Sequence, residues 1–221
     1  MNTTSASPAE PLDAPTSAPP PRKVLVWDAP VRVFHWLMVL SFAGAWLTAE
    51  SERWRLAHVT LGYTMAGLVA FRLVWGLVGT RHARFVNFVR GPAAVLRYLR
   101  GLAAGQPEHH AGHNPAGALA IVALLGLAGV VAAAGWATYN GVGGEWLKEL
   151  HESMASIMLA VVAIHLAGVF VGSKAHGENL PRTMVTGRKL GPLSDAIVGT
   201  RPLVAIGLVG WTVLVAWWLS R

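Results

Sequence analysis

Residues 151–174, HESMASIMLAVVAIHLAGVFVGSK, decide how the rest of the chain is read. His151 and His165 stand fourteen residues apart at the two ends of a mainly apolar segment. In an α-helix that spacing returns to within about 40° of the starting face and separates the rings by roughly 21 Å. One helix face then presents an imidazole near each side of a membrane, and the remaining segments supply partners for the pair.

The composition supports a membrane setting. The chain has 221 residues, of which 53% are hydrophobic and 13% charged, and its mean hydropathy is +0.46. Several stretches reach the ~20 apolar residues needed to cross a hydrocarbon core. The formal charge is +7. In so apolar a chain this charge reads as basic loops obeying the positive-inside rule, and nucleic-acid binding is set aside. The absence of cysteine excludes disulfides, thiolate metal sites, iron–sulfur clusters and covalent c-type haem attachment. Nine histidines are the available ligand supply.

Residues 1–22 are rich in Pro, Ser, Thr and Ala and lack the features of a signal peptide, so they read as a disordered tail. Spans are expected at 31–49, 56–78, 116–138 and 151–174, and a short fifth at 203–219. Tryptophans 36, 46, 54, 75, 136, 146, 217 and 218 fall near the span ends, as an aromatic belt does. The fold class is therefore an all-α membrane protein, with a four-helix transmembrane bundle at 23–190 and a C-terminal segment at 191–221 that carries the fifth helix. Between spans 2 and 3, residues 92–104 place Val95, Leu99 and Leu102 on one side. This pattern suits a short helix on an anionic membrane surface, with a solvated loop as the alternative.

Basic residues are divided unevenly. The tail, span 1's start and the 2–3 and 4–5 connections hold Arg22, Lys23, Arg32, Arg81, Arg84, Arg90, Arg97, Arg100, Lys174, Arg182, Arg188, Lys189 and Arg201. The opposite side has Arg53, Arg55, Lys148 and Arg221. The asymmetry puts the N-terminus in the cytoplasm, and five spans put the C-terminus outside.

Four histidines sort by depth. His58 and His151 share the outer side; His35 and His165 share the cytoplasmic half. Titratable groups inside a membrane are functional candidates, and imidazoles facing across a bundle suit the axial positions of a six-coordinate haem iron. Arg72 lies fourteen residues after His58, on the same face of span 2 and at the inner depth. It can pair with a haem propionate, or instead snorkel or bridge to a carboxylate such as Asp28. His109, His110 and His113 form an HHxxH cluster in a Gly- and Pro-rich segment, which reads as a solvated loop rather than a metal site. His82 and His176 also read as loop residues. Glycines 44, 62, 126, 129, 135 and 168 are expected to allow close helix approach, and Gly62 to make room for a porphyrin.

Several stretches together resemble the prokaryotic cytochrome b561 family, which includes the b-type cytochrome subunit of nickel–iron hydrogenases. They are Val26-Trp27-Asp28 with Arg32-Val33-Phe34-His35-Trp36, His58-Val59-Thr60-Leu61-Gly62-Tyr63, Phe71-Arg72-Leu73-Val74-Trp75-Gly76, Gly112-His113-Asn114-Pro115-Ala116-Gly117-Ala118 and the span carrying His151 and His165. The resemblance covers about residues 24–190. It implies a four-helix core in the bacterial inner membrane holding two b haems, each between two histidines. By position, His35 and His165 hold one and His58 and His151 the other. It further implies electron transfer between the quinone pool and a redox partner, with c-type cytochromes the family-level expectation. The Pro-rich tail and fifth span depart from the smallest members of the family.

No nucleophile, P-loop or acid–base dyad stands out, so no catalytic residue is assigned and enzymatic status stays open. Two other readings remain at this stage. One is a small transporter or channel whose histidines relay protons or bind a metal, against which stands the lack of Asp or Glu deep within the spans. The other is a haem-free membrane anchor.

Overall fold

A computed structural model describes residues 22–219. The Pro-rich stretch through residue 21 lies outside them, as does Arg221, while Arg22 already belongs to a strand. The order is β1 (Arg22–Leu25), α1 (Ala29–Thr48), α2 (Arg55–Val78), α3 (Phe85–Phe88), α4 (Pro92–Ala103), α5 (Pro115–Tyr139), α6 (Glu145–Ala175), α7 (Leu180–Thr186), β2 (Arg188–Gly191) and α8 (Pro202–Leu219). Five of these helices, α1, α2, α5, α6 and α8, are long and apolar enough to cross a membrane. All five expected spans are present. The expected surface helix at 92–104 forms as α4, with Tyr98 buried.

Helix starts follow from local chemistry. Asp28 precedes α1 and accepts from Val31 N at 2.8 Å, and Asn114 precedes α5 and accepts from Gly117 N at 2.7 Å. Each cap is followed by a proline in the first turn, where a missing N–H costs nothing. The longest helix, α6, begins six residues before His151. The first turns of that extension, EWLKEL, are polar on one side and emerge from the apolar layer.

The long helices pack as α1 on α2, α2 on α5 and α5 on α6, while α8 lies against α1 and α2. A Cβ on Gly67 would overlap the Trp211 ring of α8, so this glycine lets the fifth helix dock. Between α6 and either α1 or α2 there is no comparable backbone packing among the described residues. Side chains bridge that space. Met65, Val69, Ala128 and Met158 form a buried cluster there, joined by Met38, Phe42 and Leu124. Met65 lies seven residues after His58, and Met158 lies midway between His151 and His165. The cluster is therefore an apolar layer about 10 Å along the helices from each depth of histidine.

One end of the bundle is stitched into a cap. β1 pairs antiparallel with β2, in the register Arg22↔Gly191 to Leu25↔Arg188. Gly187 ends α7 at φ +77°, and its carbonyl accepts from Val26 N and Trp27 N at 2.8 and 3.0 Å. A Cβ there would sit 2.7 Å from the Trp27 carbonyl oxygen, so a glycine is required. Asp28 ties the cap to α2: besides capping α1, it accepts from Trp75 Nε1 at 3.0 Å and Thr80 Oγ1 at 2.7 Å. This carboxylate is 1% exposed, so all three donors depend on it.

Asp28→Ala is expected to destabilise the protein by about 2–4 kcal/mol, because it removes a helix cap and strands two buried donors. Thermal unfolding followed by circular dichroism in detergent checks this, with Asp28→Asn retaining part of the loss.

Candidate cofactor sites

The structure brings the His58 and His151 rings together edge-on. Their ring centroids are 6.1 Å apart and their planes 76° apart. His58 Nδ1 lies 2.8 Å from the Ala45 carbonyl oxygen of α1, and His151 Nδ1 lies 2.9 Å from the Val131 carbonyl oxygen of α5. A carbonyl only accepts, so each Nδ1 carries the proton and donates it. Each Nε2 is then left bare, as a metal ligand needs. Metal–nitrogen bonds of about 2.0–2.1 Å on both sides of one ion place two imidazole centroids about 6 Å apart, so the pair fits such an ion. Gly135 makes room for the pair, since a Cβ there would come within 2.8 Å of the His151 ring. Gly44 likewise accommodates Leu61. Gly62, Gly126, Gly129 and Gly168 instead face open space, so close helix approach does not explain them. The open side of Gly62, one turn from His58, leaves room for a planar group.

The inner depth is built differently. His35 and His165 lie within electrostatic range of each other. The His35 ring stands edge-on to Trp36 at 5.2 Å, and its Nδ1 is buried without a partner. Arg72 is 2% exposed, which removes the snorkelling alternative. Its guanidinium sits 4.6 Å from the Phe85 ring centroid and 5.9 Å from that of Phe88, and its Nη1 has no hydrogen bond. The bridge to Asp28 does not form, because that carboxylate is occupied by Val31, Trp75 and Thr80 and no ion pair joins it to Arg72.

Not every loop histidine is solvated. His113 is tucked beneath the start of α5, with its ring centroid 4.4 Å from that of Trp27 and 4.6 Å from that of Phe88. Burial, reinforced by the nearby Arg72 charge, holds its imidazole well below the ordinary histidine range. His82 is also buried and bonds through Nε2 to the Asp195 carbonyl at 2.8 Å. His109 and His110 line a cleft of about 490 Å³ with Arg81, Arg90 and His113. No cluster of three metal-binding side chains occurs among the described residues. No local signal in the sequence places His113, because the rings it packs on, Trp27 and Phe88, come from distant parts of the chain.

These features define a bundle of long apolar helices with histidines turned into its interior. The chain belongs to the prokaryotic cytochrome b561 family, whose model matches residues 26–187. It is 32% identical over 157 residues to the probable Ni/Fe-hydrogenase B-type cytochrome subunit of Azotobacter chroococcum mcd 1, covering 58% of this chain and 65% of that one. The same figures hold for the probable Ni/Fe-hydrogenase B-type cytochrome subunit of Azotobacter vinelandii. A third, from Bradyrhizobium diazoefficiens, is 26% identical over 117 residues, covering 42% and 47%. The chain thus spans less than two thirds of the length of these curated relatives. No solved structure matches.

Because His113, His110 and His176 are all held below the usual range mainly by burial, the unfolded chain binds more protons than the folded one once pH falls below about 6.5. Stability is therefore expected to fall between pH 7 and pH 5. Melting temperatures across that window check the sign, and His113→Phe should flatten the dependence.

Proposed function

We propose that this chain is a transmembrane dihaem b-type cytochrome that carries electrons between the quinone pool and a redox partner, a c-type cytochrome or an oxidoreductase subunit. Its setting is the bacterial inner membrane, with lipid around the bundle, the stitched cap and N-terminus in the cytoplasm, and five spans. The relatives' printed names, B-type cytochrome subunits of Ni/Fe-hydrogenase, support the cofactor and the kind of partner. The observation that carries the reading is the His58–His151 pair, with Nδ1 of each ring bonded to a helix carbonyl and the centroids 6.1 Å apart.

In this reading His58 and His151 hold the outer haem, His35 and His165 the inner one, and Arg72 meets an inner propionate. Haem supplies reversible one-electron chemistry. The chain contributes orientation and environment. The Ala45 and Val131 carbonyls fix the tautomer of the outer rings and raise the basicity of each free nitrogen. The Met65–Met158 layer keeps the interior between the two depths apolar. The helix α6 supplies one ligand to each haem, so the two centres are held by one rigid rod with histidines about 21 Å apart along it.

Potentiometric titration of the purified protein tests this. Wild type should titrate with two potentials. His58→Ala or His151→Ala should remove the outer component, and His35→Ala or His165→Ala the inner one. A single component, or a colourless protein, would overturn the dihaem reading.

A further inference from the structure

We infer that His113 belongs to the inner haem site, where its Nδ1–H and the Arg72 guanidinium together hold one propionate of the bound group. The inference rests on the haem reading above and extends it to the connection between α2 and α5.

Buried nitrogens without a hydrogen-bond partner recur in this half of the molecule, Trp27 Nε1 and Arg32 Nε among them. His35 Nδ1, Arg72 Nη1 and His113 Nδ1 are closed off from solvent and make no hydrogen bond among the described residues. Buried polar atoms are almost always paired, so Arg72 Nη1 and His113 Nδ1, whose side chains both approach the Phe88 ring, call for an explanation. Phe88 brings the two together: its ring lies 4.6 Å from that of His113 and 5.9 Å from the Arg72 guanidinium carbon. The charged and titratable neighbours of His113 are Arg72, Lys189, His82 and His165, all cationic or neutral. Two carboxylates at this end serve other groups. Asp28 serves Val31, Trp75 and Thr80, and Glu178 lies 3.8 Å from Lys189. None of the hydrogen bonds or ion pairs of these carboxylates reaches His113 or Arg72, which leaves the acceptor to a group bound from outside.

Its chemistry is constrained from both sides. An arginine paired with a neutral imidazole N–H matches a carboxylate, which has the lone pairs for both and offsets the guanidinium charge. The ligand must be apolar elsewhere, since the layer beyond is Met65, Val69, Ala128 and Met158. An amphipathic macrocycle with carboxylates along one edge meets both demands. The polar cleft of about 490 Å³ that His113 also lines lets that edge approach solvent at the cap.

The test uses purified holoprotein with His113→Phe, which keeps the aromatic contacts to Trp27 and Phe88 but removes the donor. His113→Asn restores a donor at the Nδ1 position. In His113→Phe the midpoint potential of the inner haem should fall, because an unrelieved propionate charge favours the oxidised form. Retention of that haem should weaken about tenfold, as loss of a charge-assisted hydrogen bond implies. The outer haem should not change. His113→Asn should recover most of both effects. When the protein is reconstituted with haem dimethyl ester, which has no propionate charge, wild type and His113→Phe should behave alike.

An inner potential unchanged in His113→Phe would overturn the inference and leave the dihaem reading intact. So would loss of the six-coordinate spectrum, which would make His113 an axial ligand instead. A wild type that binds no haem would overturn the reading beneath both.

Discussion

An imidazole buried in an apolar bundle has two nitrogens to satisfy and almost no water with which to do it. His58 and His151 each settle one nitrogen on the carbonyl of a neighbouring helix, and their rings stand 6.1 Å apart. That arrangement constrains everything around it. It needs α1 and α5 close enough to offer Ala45 and Val131, a glycine at 135 so that α5 can approach the ring, and a gap between α6 and the α1–α2 pair wide enough to leave both rings free. The bundle is thus arranged around a space between helices rather than around continuous helix contact.

The two depths differ in how their polar atoms are resolved. At the outer site the chain itself supplies the second-shell acceptors. At the inner site His35, Arg72 and His113 all keep an unpartnered buried atom. On the proposed reading a bound group would satisfy them, and the stitched cap of β1, β2 and the α7 end packs against the same end of the bundle through Trp27. Asp28 is central to that contrast: it spends its hydrogen bonds on Val31, Trp75 and Thr80, and although its charge is near Arg72 it makes no hydrogen bond to that guanidinium.

Much of this was legible in the residues. Apolar runs announce the five long helices, and fourteen-residue spacings put His151 with His165 and His58 with Arg72 on common faces. What was not legible has physical reasons. The first turns of α6 are polar and fall outside any hydropathy window. The β1–β2 pair joins RKVL to RKLG, four residues each and far apart in sequence, with no periodicity long enough to register. His113 sits in a segment whose glycines and proline read as solvated loop, and only packing against Trp27 and Phe88 reveals it as part of the interior. The choice between partners for Arg72 depended on where Asp28 spends its oxygens, which is a tertiary fact.

The relation between α6 and the two depths gives the account its simplest quantitative consequence. One helix carries His151 and His165 with Met158 midway, so each chain should hold two haems separated by an apolar layer. The most direct measurement is the haem-to-chain ratio of purified protein, with haem quantified as the pyridine haemochrome and chain by amino-acid analysis. The account predicts a ratio of about two, the number of histidine pairs. A ratio of one or less in fully loaded protein would contradict it.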